Sequence, residues 1–117
     1  MSAPLADVFA DALGRRGYQV LRLPYEQVSA LQNLPGGLRV EVNGYRHAVP
    51  GDYFVSCEVK EAQTHFGVEP EPLYVHIDRV CPAQFIRHHD TLVDHLIRRY
   101  EQLKSVLEER LEDGQEE

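Results

Sequence analysis

A chain of 117 residues, 43% of them apolar and 26% charged, has the balance of one folded domain rather than a disordered segment. Its formal charge of −7 argues against nucleic acid as a partner, since phosphate contacts need clustered Lys and Arg. No apolar run approaches the length of a membrane span and no basic, apolar leader opens the chain, so a soluble, cytoplasmic protein is expected.

Residues 4–16 read as a helix. Pro4 suits the first turn, and Leu5, Val8, Phe9, Ala12 and Leu13 recur at helical spacing. Gly17 is placed to end it in the left-handed region. Residues 18–23 read as a strand with apolar side chains on both faces, hence a central one. Glu26 to Asn33 then reads as a short helix with Val28, Leu31 and Leu34 inward, ended by Pro35-Gly36-Gly37.

Asn43-Gly44 lies between apolar runs and predicts a hairpin turn. That register pairs Val42 with Tyr45, Glu41 with Arg46 and Val40 with His47. Leu38, Val40, Val42, Tyr45, His47 and Val49 then share one face. Pro50-Gly51 fits the middle of a second turn, so residues 38–60 are expected to form a three-stranded meander. Its last strand alternates, with Tyr53, Val55, Cys57 and Val59 on one side. Residues 61–72 read as a loop and Leu73–Ile77 as a further strand. Pro82 opens a helical turn through Phe85 and Ile86.

The last helix is expected from about Asp90, with Asp90 or Thr91 as cap, to Glu112. Leu92, Val93, Leu96, Ile97, Tyr100, Leu103, Leu107 and Leu111 form its apolar positions. At that extent it is roughly 34 Å long, against about 17–20 Å for a typical strand. Its second half therefore overhangs the sheet, where the N-terminal helix of the same chain, a second copy or another protein is expected to cover Leu103, Leu107 and Leu111; in the latter two cases Tyr100, Leu103, Leu107 and Leu111 are the expected interface residues. Residues 113–117 read as an acidic tail on a single domain spanning 1–112.

Val49-Pro50-Gly51-Asp52-Tyr53-Phe54-Val55, then Tyr74 to Ile77 followed by Pro82 to Phe85, resembles the PGDYG-type small proteins of phages and bacteria. The resemblance covers about residues 38–89. It departs at His89, where that pattern has Tyr, and in the longer loop at 61–72. It implies a small β-rich fold and a mobile-element or bacterial origin, and it transfers no catalytic residues.

Candidate chemistry is sparse. His88, His89 and His95 sit near Asp90 and Asp94, but no two of these histidines have the i, i+3 or i, i+4 spacing of a helical metal pair. His76 and Asp78 share a strand face without a nucleophile placed by motif. Cys57 and Cys81 read as two reduced, mostly buried thiols. No metal or cofactor is implied. Tyr45, Arg46, His47 and Tyr53 are the expected lining of a pocket if the chain binds a small molecule.

The expected fold is α+β: a small, mainly antiparallel sheet packed against an N-terminal helix and a long C-terminal helix. The expected function is non-enzymatic binding or regulation, by a phage-encoded protein that docks onto a protein partner through the long helix. The alternatives are a small-molecule or nucleotide sponge or sensor and, behind it, a small metal- or His/Asp-dependent enzyme.

Overall fold

The computed structural model describes residues 5–46, 52–62 and 75–115, with the side chains of 111–115 outside that description. The fold is α+β. In chain order it runs α1 (Leu5–Arg15), β1 (Gln19–Leu23), β2 (Gln27–Leu34), β3 (Leu38–Arg46), β4 (Tyr53–Glu61), β5 (Val75–Val80), α2 (Pro82–Arg87) and α3 (His89–Gln115). The strands form one antiparallel sheet in sequential order, β1-β2-β3-β4-β5.

α1 ends as its sequence requires. Gly17 takes φ +89°, the Tyr18 amide donates to the Leu13 carbonyl at 3.2 Å, and the Gly17 amide donates to that of Gly14 at 3.1 Å. These two bonds satisfy carbonyls that the helix would otherwise leave unpaired. The buried face of α1 is Ala6, Phe9 and Leu13, whereas Leu5 and Val8 are exposed, so the apolar face is narrower than the spacing suggests.

Three elements differ from expectation. Residues 27–34 form a strand instead of a helix. Val28 and Ala30 alternate onto the core side, while Leu31 points to the opposite face, so the period is two. Pro35-Gly36-Gly37 is the β2–β3 turn, with Gly36 and Gly37 at φ +82° and +77°. β1 is an edge strand, not a central one, and Leu21 on it is exposed.

The third difference is Asn43-Gly44, which makes no turn. It lies within β3, whose nine residues pair continuously with β4 from Leu38↔Glu61 to Arg46↔Tyr53. Residues 38–46 and 53–61 are therefore two long strands, not three short ones. Val42 pairs with Ala30 and Cys57, not with Tyr45. Gly44 serves close packing. A Cβ there would lie 2.6 Å from the Tyr53 hydroxyl oxygen and 3.0 Å from the Phe9 ring. Pro50 and Gly51 lie outside the described residues, and so do Leu73 and Tyr74, where the last strand is expected to begin; β5 runs Val75–Val80.

One face of the sheet forms the core. Val28, Ala30, Leu38, Val40, Val42, Tyr53, Val55, Cys57 and Val59 pack under α1, Phe85 of α2, and Val93, Leu96 and Tyr100 of α3. Phe9 links the layers, meeting Tyr53 and Phe85 edge-on at 6.3 and 6.1 Å. The sheet's other face carries Ser29, Glu41, Asn43, Tyr45, Ser56, Glu58, Lys60 and His76, and the helices leave it uncovered.

The β1–β2 turn is strained. Tyr25 and Glu26 sit at φ +62° and +60°, which non-glycine side chains rarely adopt. Glu26 is held there by an ion pair with Arg46, and its carbonyl accepts the Tyr53 hydroxyl at 2.9 Å. Tyr25 is 93% exposed.

Two stability outcomes follow from these contacts. Gly44→Ala forces Phe9 or Tyr53 to move, and should destabilise the fold by about 1–3 kcal/mol in urea titration. Tyr25→Asn loses no buried contact and relieves left-handed strain. It should stabilise by about 1 kcal/mol, raising the melting temperature by roughly 4 °C in calorimetry.

Candidate partner-binding site

α3 has 27 residues, so it is about 40 Å long and outreaches every strand below it. Its first half is anchored by Val93, Leu96 and Tyr100, all buried on the sheet. The Tyr100 hydroxyl donates to the Glu61 carboxylate at the end of β4. Burial, reinforced by that bond, holds the Tyr100 phenol above its ordinary pKa. Tyr100 thus belongs to the chain's own core, which corrects its expected place in the interface.

Beyond this point the helix is bare. Every residue from 101 to 110 is exposed. Leu103, Val106 and Leu107 retain 41%, 46% and 42% of their surface in contact with water. They form one stripe, because positions i, i+3 and i+4 share a helix face. Val106 was not among the apolar positions expected from spacing, although an interface read only on Leu103 and Leu107 leaves out the residue between them. The side chain of Leu111 lies outside the described residues.

A cleft of about 420 Å³ opens where α3 leaves the sheet. It is lined by the Pro35-Gly36-Gly37 turn and by Glu61, Tyr100 and Lys104 among others. The base of the free helix is therefore a notch rather than a flat shoulder.

The residues expected to line a small-molecule pocket do not converge. Tyr45 pairs with Phe54 on the open face of the sheet, where its hydroxyl donates to Asp78 at 2.6 Å. This bond raises the pKa of Tyr45 and lowers that of Asp78. Tyr53 is buried on the opposite face, and the Arg46 guanidinium sits 5.8 Å from its ring centroid. Because β3 runs straight through Asn43-Gly44 instead of turning there, Tyr45 falls on the face opposite Val42 and Tyr53. His47 lies outside the described residues.

The histidine cluster divides as well. His88 and His95 are exposed, whereas His89 is buried at 7% exposure. His89 Nδ1 is 2.8 Å from the Asp90 carboxylate and its Nε2 is 2.7 Å from the Tyr18 hydroxyl. A carboxylate only accepts, so Nδ1 donates to Asp90. Hydrogen bonding to His89 depresses the pKa of Asp90. Phe85 packs edge-on to the His89 ring at 5.6 Å. These bonds join Tyr18, just ahead of β1, to the start of α3.

His76 and Asp78 share a shallow depression of about 290 Å³ on the open face with Ser56 and Glu58. Among the described residues no three His, Cys, Asp or Glu side chains are grouped to hold a metal ion. Cys57 is buried and its thiol is pushed up to about 12 by burial, whereas Cys81 is exposed, contrary to expectation. No helix among the described residues is long and apolar enough to cross a membrane. Comparison with protein-family models, curated proteins and solved structures finds no match to this chain.

The buried hydroxyls and thiol set the alkaline limit of the fold. Tyr18, Tyr53, Tyr100 and Cys57 all have raised pKa values, with burial the largest cause. Above the ordinary thiol value of 9.0 the unfolded chain binds fewer protons than the native one. The stabilisation is fully present below the unfolded values and is lost as pH rises through the folded ones. Urea midpoints should therefore decline from about pH 9 upward. Cys57→Ala should remove the earliest part of that decline, and a flat profile to pH ~11 would contradict the assignment.

Proposed function

We propose that this chain is a non-enzymatic binding or regulatory protein, of phage or bacterial origin, that docks onto a protein through the second half of α3. The observation that carries this reading is the exposed stripe Leu103–Val106–Leu107 on a helix already anchored by its own first half. Covering a Leu or Val side chain fully contributes about 1.5–3 kcal/mol, and these three have given up little over half of their surface within the chain. An anchored helix with an apolar stripe is suited to a groove or to another helix on a partner, since its backbone needs no ordering on binding. The origin rests on the resemblance around Pro50-Gly51-Asp52-Tyr53 alone.

A small-molecule sponge is the weaker reading, because Tyr45 and Tyr53 lie on opposite faces of the sheet. Its remaining support is the depression around Ser56, Glu58, His76 and Asp78.

The test is affinity capture with the tagged chain, from bacterial extract supplemented with untagged copy. Leu103→Glu with Leu107→Glu should fold with an unchanged circular dichroism spectrum, because both residues are exposed. The variant should lose at least one protein that the parent retains. Identical captured sets would overturn the α3 docking reading.

A further inference from the structure

We draw no further inference here: the strongest candidate, the outer edge of β1 with Leu21 exposed on it, is an unpartnered strand edge, and nothing among the described residues shows what would pair with it.

Discussion

The hydrogen bond from Tyr100 to Glu61 marks the last place where α3 has a sheet beneath it. On one side of it lie Val93 and Leu96, buried on β4 and β5; on the other, ten consecutive exposed residues. A free helix of this length would be marginal in water, because the first turn costs more entropy than its single hydrogen bond returns. Here that turn is already formed in the anchored half, so residues beyond Tyr100 need only propagate it. Leu, Glu, Gln, Lys and Arg dominate that segment, and all propagate well. Anchoring at Tyr100 thus explains how a bare stripe of Leu103, Val106 and Leu107 is presented as an ordered surface.

Much of this architecture was legible in the chain because one signal sufficed for each element. Gly17 ended α1, Pro82 opened α2, and strict alternation from Tyr53 to Val59 gave β4 its buried face. The failures came where two patterns competed. Val28, Leu31 and Leu34 satisfy a helical spacing, while Val28 and Ala30 satisfy an alternating one. The alternation won because β2 gains hydrogen-bonded neighbours on both sides, which a local pattern does not reveal. Asn43-Gly44 carried the strongest local turn signal, yet it was overridden by contact with residues far along the chain. Gly44 is small because Phe9 and Tyr53 come close to it, and a glycine required for packing has the same letter as one required for a positive φ.

The candidate site was legible to the same degree and for the same reason. The excess length of α3 is a count of residues, so Leu103 and Leu107 emerged from periodicity without any knowledge of the sheet. Assigning Tyr100 required knowing that Glu61 ends the strand beneath it, which is a tertiary fact. The grouping of Tyr45 with Tyr53 required the register of β3. Because side chains alternate, a strand that continues through Asn43-Gly44 instead of turning puts Tyr45 on the other face of the sheet.

Two of the places among the described residues that break local rules differ in how the fold responds. Tyr25 and Glu26 occupy left-handed backbone without glycine, but Arg46 pairs with Glu26 and Tyr53 bonds its carbonyl. That violation is compensated within the chain. The end of α3 leaves apolar side chains in water and sets negative charge at the negative end of a helix dipole. Among the described residues nothing in the chain offsets either feature. A sequence that agrees with its fold at most other levels tolerates such a conflict where something outside the chain resolves it. The contrast between these two sites, more than the exposure of any one leucine, is what supports the proposal that the end of α3 meets a partner.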